Sequence, residues 1–406
     1  MTVNETLTAP VTQQCHTTVV DVAIVGGGLA GSLAAAVLAR AGHNVALIDK
    51  RAVHPEEFRV EKIAGQSVEI LRRLGFIDEL EAVACSYDSV LNIRQGKVVD
   101  VSGGLSFGLP YATLVAMARR LLPKTSNFIV DQVLNVTCSE DLQHIALASG
   151  NRVTSRLVVL ATGMSSALGY NLGINRRVLA AGHSVTFGFT IAKSDGSPFS
   201  FPSLTCYGDR SADGVDYLSL FPIAGGMRAN LFMFRDPNDR IMRELRREPK
   251  ATLLRLMPGL QSYLGDFHVI DRVQNWVMDL AKAEGHLQPG VVLIGDAFQT
   301  SCPAAGTGVG RLLVDVERLC TVHLPGWLKT EGMGTEKISQ FYADPDKIAS
   351  DARAFRMAQF RQALTSNSGL KWNMRRRLHF LRRSITYRVD GIQPGWIARV
   401  RGALHA

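Results

Sequence analysis

Cysteine is scarce and unpatterned. The six residues (Cys15, Cys85, Cys138, Cys206, Cys302 and Cys320) show no CxxC spacing and no paired rhythm in 406 residues. That argues against a disulfide framework or a zinc site and fits reduced thiols in a cytosolic protein, so no metal is expected. The start of the chain, MTVNETLTAPVTQQCHTT, lacks the basic opening and apolar centre of a secretory leader, and residues 1–18 read as a disordered lead-in. Long apolar runs are also missing. The best approach to one, Val19 to Ala39, carries Asp21 and four glycines and breaks at a turn, which a bilayer span would not do. Neither an internal repeat nor a nucleic-acid module is present, so nucleic acid is not expected as a partner. Acids are nearly absent from the end of the chain. From Arg353 onward twelve Lys and Arg face one acid, Asp390, so the tail holds +11 of a net +9 and the preceding residues sum to about −2.

What is present is enough apolar material for a large core, at 46% apolar and 20% charged residues, in a chain longer than one ordinary domain. A mean hydropathy of +0.08 adds the suggestion of a greasy cavity or a sticky surface. The organising stretch is Val20 to Lys50, VDVAIVGGGLAGSLAAAVLARAGHNVALIDK: a β-branched strand, a glycine turn, an alanine-rich helix, and a second strand ending in an acid. Gly26, Gly28 and Gly31 fit GxGxxG. The first glycine permits a tight turn, the second lets backbone approach a pyrophosphate, and the third lets the helix pack on the strand. The amides opening that helix, Leu29 and Ala30 among them, meet phosphate charge. Asp49, followed by Lys50, lies 18 residues beyond Gly31, where a carboxylate reaches ribose hydroxyls. This is a βαβ unit for an adenine dinucleotide.

The loop RAVHPEEFRVEKIAGQ follows, with Arg59 either reaching a phosphate or an aromatic ring edge or standing as a solvated loop arginine. Helices are expected at SVEILRRLGF and YATLVAMARRLL, with a glycine-rich hairpin (Val90 to Gly108) between them. Strands are expected around NFIVDQVLNVTC, QHIALAS and RLVVLATG. From Gly182 to Phe234 the period shifts toward two, which suggests an antiparallel sheet walling a pocket. Phe187, Phe189, Phe232 and Phe234 are as well suited to line that pocket as to fill core. A helix over DRIMRELRREPKATLLRLM leads to GVVLIGDAFQTSCPAAGTGVGRLLVDVERLC. Here a strand ends at Asp296, a proline and small-residue loop runs to Gly310, and a helix continues to about Cys320. Its logic repeats the opening motif: a carboxylate at a strand end, then helix N-terminal amides. Cys302 beside Pro303 reads best as small buried filler. The tail is helical in pattern, with Trp372, Phe380 and Tyr387 among arginines. Such a segment can lie on an anionic membrane surface, meet an acidic partner or carrier protein, or cover the protein with its polar face outward.

GGGLAG with Asp49, followed by GDAFQTSCPAAGTGVGRLLVDVERL, resembles the FAD-dependent monooxygenases with the para-hydroxybenzoate hydroxylase type of fold, over roughly residues 18 to 330. Alkene epoxidases, prenyl reductases and flavin halogenases share that superfamily. The resemblance implies an α/β fold: a Rossmann-like FAD-binding domain (19–180 and 285–330), an interposed, mostly antiparallel substrate sheet (181–284), and a basic helical C-terminal region (331–406). It implies FAD held at the glycine motif and Asp49, with Asp296 near the ribityl–pyrophosphate region. Pro303, Gly306, Gly308 and Val309 would lie along the flavin, Arg59 would touch it, and the Val133 backbone would meet the adenine. Four positions depart from the family pattern. The middle motif reads Thr162-Gly163 where members carry Asp-Gly, Gln299 replaces a histidine, Gly310 replaces an asparagine, and YATLVAM lacks the arginine that usually opens the second helix.

The resulting expectation is a cytoplasmic flavoenzyme, peripheral to a membrane if the tail docks there. NADPH or NADH would reduce the flavin, and a C4a-hydroperoxide would pass one oxygen atom from O2 to a hydrophobic or aromatic small molecule. No acid–base pair stands out as catalytic. A reductase acting on a lipid-like prenyl double bond is the alternative. A halogenase is disfavoured by the absence of WxWxIP, and a non-catalytic flavoprotein by the full flavin scaffold. Oligomeric state is not legible.

Overall fold

The structure, a computed structural model, describes residues 16–124 and 126–392. Most of the expected lead-in, with Cys15, and the end of the tail from residue 393 lie outside the described residues. The first strand begins at Thr17, two residues before the expected boundary.

Two sheets carry the fold. In the first, seven-stranded sheet, β1 (Thr17–Val25) pairs in parallel with β2 (Val45–Asp49) and with Arg152–Leu160, and Val291–Leu293 joins the latter, also in parallel. Asn127–Val130 extends it beyond β2, and Val133–Thr137 with Gln143–Leu147 form an antiparallel flap at the other side. Helix α1 (Leu29–Arg40), whose central alanines Ala34, Ala35 and Ala36 are fully buried, lies against this sheet. Val, Ile and Leu runs buried on both faces are what a central parallel strand requires. Because β1, β2, Arg152–Leu160 and Val291–Leu293 run the same way, their carboxyl ends share one edge. Gly26, Lys50, Ala161 and Ile294 emerge there side by side, and in open α/β sheets that edge is where ligands bind.

The second sheet has nine strands and is antiparallel except where Leu204–Tyr207 pairs in parallel with Leu91–Arg94. The expected span 181–284 covers only part of it. Val60–Ala64, Cys85–Arg94 and Lys97–Pro110 belong to it as well, so the segment read as a loop around Arg59 ends in a strand. The Val90–Gly108 hairpin is therefore built into the larger sheet. Gly108 is what lets it fit: a Cβ there would come within 2.3 Å of the Pro222 carbonyl oxygen. Long-range partners of this kind are invisible to local periodicity.

Period-two alternation sorts the aromatics. Phe187 and Phe189 are fully buried beneath the helices of residues 240–264, whereas Phe232 and Phe234 face the other way, toward Cys302 and Ala304. Phe187→Ala therefore costs about 3–5 kcal/mol of stability and leaves flavin affinity unchanged, as thermal unfolding and flavin titration would show. The helix expected over 239–257 is two, Arg240–Arg247 and Pro249–Leu256. Proline has no N–H to continue the first helix but is tolerated opening the second. The helix expected from Gly310 already starts at Gly308 and passes at Arg318–His323 into a π-helical segment. Among the described residues four helices follow: the single turn Leu324–Trp327, then Thr335–Tyr342, Pro345–Ser366 and Leu370–Ile392.

Candidate functional site

At the opening turn two glycines are dictated by backbone. Gly26 has φ +106°, and a Cβ on it would lie 2.5 Å from the Ala161 carbonyl oxygen; on Gly31 it would lie 1.9 Å from the Gly26 oxygen. Gly28 differs. Its nearest neighbour would be the Tyr111 hydroxyl at 3.6 Å, so the space over it is open to a ligand. It caps α1, whose first-turn amides have no intrahelical acceptor, and the Leu29 N–H donates weakly to the Tyr111 hydroxyl at 3.4 Å. Ala30 follows in that same turn.

Asp49 closes this end. Its carboxylate accepts from the Gly27 N–H at 2.7 Å and the Arg51 N–H at 2.9 Å. Lys50 beside it is exposed and forms no side-chain hydrogen bond or ion pair among the described residues. Val133 follows the strand that flanks β2, and the Asp131 N–H donates to the Asp49 carbonyl at 2.9 Å, so Val133 sits just past the acid.

Arg119, from the last turn of the helix Tyr111–Arg120, knits the same corner. Its guanidinium donates to the carbonyls of Gly27 (2.8 Å), Arg51 (2.9 Å) and Ala52 (2.8 Å). One of its terminal nitrogens is buried without a hydrogen-bond partner, 3.4 Å from Asp49. Burial lowers the Arg119 pKa and Asp49 opposes that shift. Arg119→Met would leave three carbonyls without their donor. FAD affinity is expected to fall about tenfold, equivalent to ~1.4 kcal/mol, measured by quenching of flavin fluorescence.

The second motif faces this corner. Gly295 has φ +61°, and its N–H donates to Asp315 at 2.8 Å. The Asp296 carbonyl accepts from Arg176 at 3.2 Å, and its carboxylate, part exposed, lies 3.5 Å from Arg311. Arg59 is near. Its guanidinium stacks on the Tyr111 ring at 3.9 Å and pairs with Glu61 at 3.1 Å. Burial opposes its charge, but Glu61, Tyr111 and Asp296 outweigh burial and its pKa is raised. The loop bearing Arg59 is clipped to the second sheet: Arg228 donates to the Phe58 carbonyl, and Asn230 to that of Val60 at 3.2 Å. Burial brings the Arg228 pKa down to about 10 against the pull of Asp271.

Pro303–Ala305 forms a single 3-10 turn. Gly306 follows at φ +63° with open space where a Cβ would be, and Gly308 and Val309 open the next helix. Tyr217 of the second sheet donates to the Ala304 carbonyl at 3.0 Å. Cys302 is fully buried with its sulfur 3.5 Å from the Ser184 hydroxyl, and burial pushes its thiol pKa up, which favours the filler reading.

The open space at Gly28 and Gly306, an Arg119 nitrogen without a hydrogen-bond acceptor and a buried, partnerless Thr307 hydroxyl fit a long, phosphate-bearing ligand stretched along the strand ends. The structure brings the sequence-predicted residues to one edge, at two corners. Tyr111, Arg119, Arg176, Arg228, Asn230 and Tyr217 were not legible. Tyr111 is the most readable omission, since it opens the helix at the place where the family's arginine stands.

The chain belongs to the FAD binding domain family, which matches residues 19–322. It is an FAD-dependent oxidoreductase of the superfamily that the two motifs resemble. It is 25% identical over 328 residues to 3-demethoxyubiquinol 3-hydroxylase of Escherichia coli (strain K12), covering 74% of this chain and 79% of that protein. Over 309 residues it is 22% identical to digeranylgeranylglycerophospholipid reductase 1 of Methanococcoides burtonii, covering 72% and 71%. The crystal structure of p-nitrophenol 4-monooxygenase from Pseudomonas putida DLL-E4 superposes with a TM-score of 0.72 at 18% identity, covering 90% of this chain and 93% of that one, and so shares its fold.

Proposed function

We propose that this protein is a monooxygenase that inserts one atom of O2 into a hydrophobic or aromatic small molecule, with NADPH or NADH as electron donor. FAD, when bound, supplies the oxygen activation, and the chain supplies binding, orientation and exclusion of water. Gly26, Gly28, Gly31 and the amides of Leu29 and Ala30 would hold the pyrophosphate. Asp49, with Lys50 and Val133 beyond it, would hold the adenosine, and Asp296 and Arg59 the middle of the cofactor. Pro303, Gly306, Gly308 and Val309 would lie along the ring.

The observation that carries the reading is the sheet face opposite that last segment. Thr186, Tyr217, Phe232 and Asn230 come from neighbouring strands of the second sheet and share the face turned toward the Pro303–Ala305 turn. Thr186 is buried with its hydroxyl unpartnered. An apolar wall with a few polar groups suits a small organic substrate. The likeness to 3-demethoxyubiquinol 3-hydroxylase supports oxygen insertion. The reductase relative keeps a second reading open, in which a lipid-like double bond is reduced.

Oxygen dependence separates the two. With the FAD-loaded protein and a panel of phenols, quinols and prenyl lipids, substrate-stimulated NAD(P)H oxidation is expected in air and should stop under argon. Equal turnover under argon would establish the reductase. Phe232→Ala is expected to raise KM about tenfold, the equivalent of ~1.4 kcal/mol of lost apolar contact, with FAD affinity unchanged.

A further inference from the structure

The last described helix, Leu370–Ile392, is built the wrong way round for a helix that merely covers the protein. Two of its arginines point inward. Arg376, only 8% exposed, donates to the carbonyls of Leu364 at 2.7 Å and Asn367 at 2.9 Å. Arg383 pairs with Asp100 at 2.6 Å and donates to the Tyr207 hydroxyl at 2.7 Å. Phe380 packs on the same side, with the Arg94 guanidinium 4.4 Å from its ring centre. These contacts fix the rotation of the helix on the second sheet.

The outward side is apolar. Leu370, Met374, Leu378, Leu381 and Ile385 are between 49% and 79% exposed. Steps of four, four, three and four residues put them on one stripe of an α-helix. Among the described residues nothing covers the stripe. A row of five large apolar side chains in water is unusual on a soluble surface and marks something that docks. Beside the stripe stand exposed Lys371, Arg375, Arg377 and Arg382, and the sequence has no acid between Asp351 and Asp390.

The flanking charge decides the occupant. In a pair of such helices from two copies, the same cations would face one another across both edges of the seam, which is repulsive in either orientation. An anionic bilayer offers the complement: acyl chains for the stripe and negative headgroups for the cations beside it. No helix among the described residues is long and apolar enough to cross a membrane, so the helix would lie along the surface.

We propose that Leu370–Ile392 is a membrane-surface helix that docks this protein on anionic lipid. The proposal stands apart from the chemistry of the flavin site. The test is co-sedimentation of the FAD-loaded full chain with phosphatidylcholine vesicles, with and without phosphatidylglycerol. Binding is expected to the anionic vesicles and to weaken with salt. The variant Arg375→Gln/Arg377→Gln/Arg382→Gln should bind them roughly a hundredfold more weakly, at about a fivefold loss per cation. Met374→Glu/Leu378→Glu/Leu381→Glu should abolish binding, while flavin content and thermal unfolding stay those of the parent, because these side chains already face water. Three results would overturn the proposal. The parent chain could ignore anionic vesicles, as it would if a terminal segment or an acidic protein occupies the stripe. The glutamate variant could bind as well as the parent, which would leave only non-specific charge attraction. Or the parent could sediment as a dimer that the glutamate variant dissolves, with no vesicle binding by either.

Discussion

Gly31→Ala is expected to abolish FAD binding and to lower the stability of the flavin-free protein. The added methyl would lie 1.9 Å from the Gly26 oxygen, a backbone atom that can retreat only by dragging β1 or the start of α1 with it. That displacement moves the amides meant for the pyrophosphate. A loss of at least a hundredfold in FAD affinity, or ~2.7 kcal/mol, is the expected floor. Gly28→Ala provides the contrast. Its methyl would meet nothing nearer than the Tyr111 hydroxyl at 3.6 Å, so the flavin-free protein should unfold at the parent temperature. Yet the methyl occupies the space above the turn, and FAD affinity should fall as steeply as in Gly31→Ala. Flavin titration and thermal unfolding of the two variants together separate a glycine kept for packing from one kept for the ligand. Equal behaviour of both variants in unfolding would contradict this division.

Lys347→Met should damage both stability and FAD binding. Lys347, in the helix Pro345–Ser366, is almost fully buried and pairs with Asp315 at 2.8 Å and Asp351 at 3.1 Å. Arg311 completes the group, 3.2 Å from Asp351 and 3.6 Å from Asp315, and also donates to the Gln299 carbonyl and to Ser301 at 3.1 Å. Two buried cations thus balance two buried carboxylates immediately behind the Asp296 loop. Removing one cation strands negative charge in a low-dielectric interior, which costs about 3–5 kcal/mol. Replacing Lys347 and Asp351 together by apolar residues of similar size should cost less than Lys347→Met alone, because no charge is then left uncompensated. Chemical denaturation of the two variants reads this directly. FAD affinity should fall with Lys347→Met as well, since the same arginine holds the Gln299–Ser301 backbone.

This network also shows where sequence reasoning stops. Asp315 and Arg311 lie one turn apart on a helix that the glycine-rich motif announced. Their partners stand 32 to 40 residues later, in a region whose pattern indicated only a basic helix. Gln299 stands where the family has histidine, and here its side chain donates to the Asp351 carbonyl at 3.3 Å, so that departure belongs to the way the tail is fastened. Gly310 stands in place of asparagine; a Cβ there would lie 3.3 Å from the Ser67 hydroxyl, which can turn away, so nothing in the structure explains the glycine. The GxGxxG turn, Asp49 and the Asp296 strand end were legible because each is a local backbone demand repeated wherever a dinucleotide is held. Tyr111 and Arg119 were not, since a helix pattern says which face is apolar and nothing about which loop its ends reach. The inward turn of Arg376 and Arg383 was likewise hidden, because seven cations on one helix read naturally as a solvated face.

Under the proposed function, oxygen from O2 enters the organic product on this flavoprotein scaffold. The most direct measurement is mass spectrometry of the product formed from NAD(P)H and an accepted substrate under isotopically heavy O2 in ordinary water. One heavy oxygen atom is expected in each product molecule, and no product under argon. A product without the label, or one formed equally well under argon, would contradict that function.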